Sequence, residues 1–277
     1  MDNVETKEGL INELSFVEKW EKSQKQDWFW ERLTRLPFKL LDRLTPKYVH
    51  EKISQLLDEI GSYIQTGGQY LTQKNYVLKK VQAHHSDRRI ESIYDVASVP
   101  LATMDAVSED LKKNRGDLAT VQGATTGVGG IFTLAADIPA LLGLSLKTLQ
   151  EIAISYGYNP DSREERIFII KCLQFTSSDV VGKKAILKEL SSYYQGRSDQ
   201  QEIMSQLQGW REVVYTYRDQ FGWKKLLQMV PVAGMVFGAF TNRSMIHDIA
   251  ETGRMLYRKR RILERLAEMD KTNESSI

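Results

Sequence analysis

A single cysteine, Cys172, serves the whole of a 277-residue chain, so no intramolecular disulfide can staple the fold. Proline is scarce, with six in all, and the strict polar-apolar alternation of half-buried strands is rare, which leaves helix as the dominant element. Charge of one sign is missing as well. Basic side chains number 38 against 36 acidic ones, and a net charge of +2 lacks the basic excess of a dedicated nucleic-acid binder. The N-terminus, MDNVETKEGLINEL, has neither the basic start nor the apolar core of a secretory signal, so a cytoplasmic location is expected.

Motifs that would announce catalysis are also absent. The glycine run from Gly127 reads Gly-Val-Gly-Gly-Ile-Phe, with Phe132 where a dinucleotide fingerprint needs its last glycine, and no lysine and hydroxyl pair follows to make a phosphate loop. The sequence contains no HExxH and no GxSxG elbow. His84 and His85 are adjacent and point about 100° apart on a helix, and His50 and His247 are isolated. Cys172 lies among Ile169, Ile170 and Leu173, the setting of a buried, inert thiol. No catalytic residue, metal ligand or cofactor is therefore assigned, and the expectation is a protein that is not an enzyme.

What is present is apolar residues three and four apart over most of the length. The first 26 residues are polar and read as a loose N-terminal tail or a frayed helix; residues 27–270 read as one helical domain; residues 271–277 form a polar C-terminal tail. Between residues 27 and 49 aromatics and leucines mix with arginine and lysine, and Trp28 and Trp30 give this stretch the composition of an interfacial helix. Ile53, Leu56, Leu57, Ile60 and Ile64 trace one helix face that should stop near Gly67 and Gly68, and another helix is expected from Tyr70 to Gln82. Ile90 to Lys113 reads as a long helix with Pro100 as a kink or junction.

The most distinctive segment runs from Leu118 to Gly157, where Asp137 is the only charge before Leu146. Two helices are expected there, the second capped by Asp137, with Pro139 in its first turn, and ending at Gly157. Ser162 and Glu165 then have capping-box spacing for the next helix, and Glu151 is placed to pair with Lys147. The residues from Gln195 to Gln208 read as a loop and a short amphipathic helix. A second apolar stretch, Met229 to Phe240, is opened by Pro231. Gly123, Gly127 and Gly130 in the first stretch and Gly234 and Gly238 in the second recur at three- or four-residue intervals, a pattern that lets another backbone approach closely. The last helix carries a basic cluster of Arg254, Arg258, Lys259, Arg260, Arg261 and Arg265.

The string GVGGIFTLAADIPALLGLSLKTLQEIAISYGYNP, followed by Glu165-Arg166, strongly resembles the signature region of the EcsC family. VPVAGMVFGAFTNRSMIHDIAETGRMLYRKRRIL is similar to that family's closing pattern of Val-Pro, spaced glycines, an asparagine and a basic end. The likeness covers about Val99 to Leu263, and Thr125-Thr126 departs from the small pair usual in relatives. It implies a bacterial protein with no assigned reaction, and a neighbourhood rather than a mechanism, since the founding member is encoded beside an ABC-type exporter.

The expected architecture is thus all-α, a single multi-helix domain with two glycine-rich apolar helices packed at its centre. Its expected role is that of a non-enzymatic accessory protein, peripheral at the inner face of the membrane, binding a membrane surface, a lipid or a membrane protein such as an ABC transporter. Leu118 to Ala136 supplies 19 residues with five Thr or Gln and four Gly, and Met229 to Phe240 only 12, so neither is a convincing span. Arg258, Arg260 and Arg261 would add attraction for anionic lipid. The alternatives are a soluble helical interaction scaffold without lipid contact, and an enzyme whose site is assembled across helices from Asp137, Glu151, Asn242 and His247. Asp137 and Glu151 are 14 residues apart, roughly 21 Å on one helix, too far for the two alone to share an ion.

Overall fold

In the computed structural model the described residues are 5–24, 62–67, 74–128, 131–178, 180–194 and 231–274. Every regular element among them is helical: α1 (Lys7–Ser23), α2 (Lys74–His84), α3 (Ile93–Val96), α4 (Leu101–Val128), α5 (Ile131–Ser155), α6 (Arg163–Ser177), α7 (Val180–Tyr194) and α8 (Pro231–Glu274), with a short helical turn at 62–66. The all-α expectation holds. Trp28, Trp30, Gly130 and the 195–208 stretch lie outside the described residues, as does nearly all of the helix expected from Ile53.

Helix α8 is the axis of the fold. Its 44 residues extend about 66 Å at the α-helical rise. It runs antiparallel to α4, as the pairs along the two helices show: Gly238 meets Gly123, His247 covers Gly116, Glu251 binds Lys112, and Arg258 binds Asp105. Helix α5 completes the core, pressing Leu149 onto Gly253 of α8 and sending the Tyr156 hydroxyl to Asp105 of α4 at 2.5 Å. Leu111, Leu141, Leu146, Leu149, Ile152, Ile246, Ile249 and Leu256 are buried in this core.

Helix boundaries follow local chemistry where that chemistry is strong. Helix α5 ends as expected at Gly157, whose φ of +81° suits a residue without a side chain. Gly157 N donates to Ile154 O and Tyr158 N to Ala153 O, so two terminal carbonyls are satisfied. Ala97 also packs so close that a Cβ at Gly157 would lie 2.8 Å from its Cα. Ser92 and Asp95 make a full capping box at α3. Ser162 does accept from Glu165 N at the start of α6, yet the Glu165 carboxylate turns into the core instead of back to the cap.

Four expectations are corrected. Helix α5 begins at Ile131, so Asp137 and Pro139 lie inside it and Asp137 is not its N-cap; the helix continues through Pro139 one hydrogen bond short. The stretch from Ile90 to Lys113 is not one helix: α3 ends at Val96, and Pro100, a junction and not a kink, precedes α4, its carbonyl accepting from Thr103 and Met104. Residues 7–23 are no tail: Leu10, Leu14, Val17 and Trp20, at spacings of four, three and three, turn one face of α1 onto the core. At the other end α8 continues to Glu274, into the expected C-terminal tail.

Candidate functional site

Two regions of the α4–α8 pair differ in character. At the end where α4 finishes, a Cβ on Gly123 would come within 2.5 Å of the Gly238 carbonyl carbon, and closer still to its oxygen. Real Cβ atoms do not approach backbone so closely, so the contact requires glycine and joins the two apolar stretches directly. Gly127 falls further along α4 and Gly234 earlier on α8, both within helix. Three large apolar side chains near this end are open to solvent. Phe240 is 71% exposed, Val121 62% and Leu118 47%. Antiparallel pairing through Gly123 and Gly238 brings these three to the same end of the pair, beside the Arg243–Asp117 ion pair at 2.5 Å.

Towards the opposite end, the basic cluster of α8 is turned inward, onto acids and carbonyls of neighbouring helices, and is not an open solvated face. Arg258 binds Asp105 of α4 at 2.9 Å and Glu13 of α1 at 2.5 Å. Arg260 binds Glu165 at 2.9 Å and covers the ring of Tyr158 at 4.0 Å. Arg261 donates twice to the Tyr156 carbonyl, at 3.0 and 2.7 Å, and binds Glu264 at 3.0 Å. Lys259 binds Glu21; Arg265 binds Glu5 and donates to the carbonyls of Ala97 and Val99; Arg254 binds Glu251. The reason is geometric. A helix packed on several sides has no wholly solvated face, and its arginines reach acids or carbonyls on neighbouring helices, as buried or half-buried cations require.

The innermost part of this network centres on Glu165, which is 3% exposed. Tyr257 donates to it at 2.6 Å, and burial raises its carboxyl above the ordinary range despite Arg260. Tyr257 stacks with Tyr156 and packs against Tyr158 and Phe168. Burial likewise pushes the Tyr156, Tyr158 and Tyr257 hydroxyls and the Cys172 thiol up, so none of them is activated as a nucleophile. Arg166, the other half of the signature pair, donates to the carbonyls of Ile64 and Gln65 at 3.0 Å each and to that of Asp161. The Glu165-Arg166 dipeptide therefore binds α6 to α8 on one side and to the 62–67 turn on the other. Sequence pattern marked the pair without revealing its partners, which are about a hundred residues away.

The four residues weighed as an assembled catalytic site have other engagements. Glu151 is 1% exposed and gives both oxygens to Arg115, at 2.7 and 2.5 Å, rather than pairing with Lys147. Asn242 is buried in α8. His247 covers Gly116, its Nε2 buried without a hydrogen-bond partner, and desolvation holds its pKa below the ordinary value. The side chain of Asp137 is outside the described set. Among the described residues no group of three His, Cys, Asp or Glu side chains is arranged to hold a metal ion.

Comparison with known proteins adds relatives but no reaction. The chain is 60% identical over 270 residues to "Uncharacterized protein YdbA" of Bacillus subtilis (strain 168), covering 98% of this chain and 99% of that protein. It is 23% identical over 245 residues to "Protein EcsC" of the same organism, covering 88% and 92%. No solved structure matches the chain. The model of the EcsC protein family matches residues 12–262, from the middle of α1 well into α8, and the chain belongs to that family.

Proposed function

We propose that this is a non-enzymatic accessory protein that contacts a membrane surface, a lipid or a membrane protein through the apolar end of the α4–α8 pair. The observation that carries this reading is the exposure of Leu118, Val121 and Phe240 at the same end of the α4–α8 pair. Large apolar side chains left open at one end of a helix pair are what a contact surface requires. No helix among the described residues is long and apolar enough to cross a membrane, so the contact is one of shallow insertion or docking. Transferring the three side chains out of water is worth about 3 kcal/mol, roughly a hundredfold in affinity. An ABC transporter at the inner face of the membrane is one partner of the proposed kind.

Co-sedimentation with neutral and anionic vesicles, at low and high salt, tests the reading. Because Leu118, Val121 and Phe240 carry no charge, binding to neutral vesicles that persists at high salt is expected. The rival is a soluble helical scaffold, favoured by one observation: the bases of α8 already have partners within the protein. Failure to bind either kind of vesicle puts the scaffold in front.

A further inference from the structure

We infer that α1 is a releasable acidic clasp over a basic and aromatic face of α8, and that this face binds anionic lipid headgroups once the clasp lifts. Residues 5–24 carry five acids against three lysines. Three of those acids meet α8 bases: Glu5 binds Arg265, Glu13 binds Arg258 at 2.5 Å, and Glu21 binds Lys259 at 2.9 Å. The apolar part of the attachment is small. Leu10 and Val17 are buried and Leu14 and Trp20 partly so, while Ile11 and Phe16 are about half exposed. Lys259 and Glu21 are largely enclosed, but Glu13 is about half open to water, and among the described helices α1 packs mainly on α8 alone, whereas α8 itself is held by several helices.

The two sides of this contact are unequal when it opens. Arg258 keeps Asp105, and Arg265 keeps the carbonyls of Ala97 and Val99, so both stay in place as presented cations. Lys259 loses Glu21, the acid it binds, and remains over the Tyr194 ring at 5.8 Å. Phe175, which α1 covers with Trp20 at 5.8 Å, is uncovered beside Lys183. Cations interleaved with aromatic rings suit an anionic bilayer interface. In the closed state the acids of α1 occupy the place of the lipid phosphates. The inference rests on the proposed membrane role but uses a different surface, so the two fail separately.

The test uses the full chain with Glu13→Lys and Glu21→Lys, which repel α1 from Arg258 and Lys259. Protease accessibility of α1 reports release, and co-sedimentation is compared on phosphatidylcholine vesicles and on an equal mixture with phosphatidylglycerol. The variant is expected to show cleavable α1 and affinity for the mixed vesicles at least about tenfold above the unaltered protein, lost in high salt. Adding Lys259→Glu to Glu21→Lys alone restores that ion pair and should return both readouts to the starting level. A variant whose α1 stays protected, or whose released form gains no affinity for the mixed vesicles, overturns the inference. Binding to phosphatidylcholine alone reports on Leu118, Val121 and Phe240 and is expected to be unchanged.

Discussion

Gly123 and Gly238 meet backbone to backbone, close enough that a Cβ on the first would fall within 2.5 Å of the carbonyl carbon of the second. Alanine at 123 gains up to about 1 kcal/mol of helix propensity, but it must force α4 and α8 apart, and overpacking of a tight contact costs about 1–3 kcal/mol or more. Gly123→Ala is therefore expected to lower the urea midpoint, and Gly123→Leu to prevent folding. An alanine variant as stable as the parent would mean that the helices do not touch here.

The Arg115–Glu151 pair is the most deeply enclosed bidentate ion pair described between α4 and α5, with side chains 13% and 1% exposed. Glu151→Ala strands a largely buried guanidinium, and breaking such a pair costs about 3–5 kcal/mol. Replacing both partners, with Arg115→Met and Glu151→Leu, should recover most of that loss. Equal destabilisation of the single and double variants in denaturant titrations would show that the pair is not coupled in this way.

Acid should weaken the fold through His247. Desolvation, followed by the charges of Arg243 and Lys112, holds its folded pKa below the ordinary 6.5. The unfolded chain then takes up a proton that the folded chain refuses, so this contribution to stability is complete above pH 6.5 and falls away as pH drops below it. Stability of His247→Gln should fall less steeply over that interval. Parallel curves for the two proteins would remove His247 from the account.

Cys172 is wholly buried, and burial raises its thiol pKa. A thiol reagent at neutral pH should label it only at the rate of unfolding. Rapid labelling of the native protein would contradict the placement of α6 in the core.

Sequence revealed what is decided locally. Gly157 ends α5 because a left-handed residue is needed within the same turn, and Ser162 caps α6 three residues before the amide it accepts from. It misled wherever a distant partner decides. Asp137-Ile138-Pro139 has the form of a helix start, yet α5 already runs from Ile131. The Glu and Lys residues of α1 hid its Leu10–Val17 face, and the partners of those acids are more than 230 residues away on α8. For the same reason the α8 arginines resembled a solvated basic surface, whereas Arg258 and Arg260 belong to Asp105 and Glu165. Of the spaced glycines, Gly123 lies against the backbone of Gly238, a close approach that a side chain at 123 would block.

The contact role of the α4–α8 apolar end is tested most directly by changing Leu118, Val121 and Phe240 to Ser together and measuring flotation with neutral vesicles at high salt. These side chains are about half exposed or more, so stability should change little. The unaltered protein is expected to float with the vesicles and the folded triple variant to stay behind, with affinity reduced roughly a hundredfold. A variant that floats as well as its parent would contradict the assignment of this end as the contact surface.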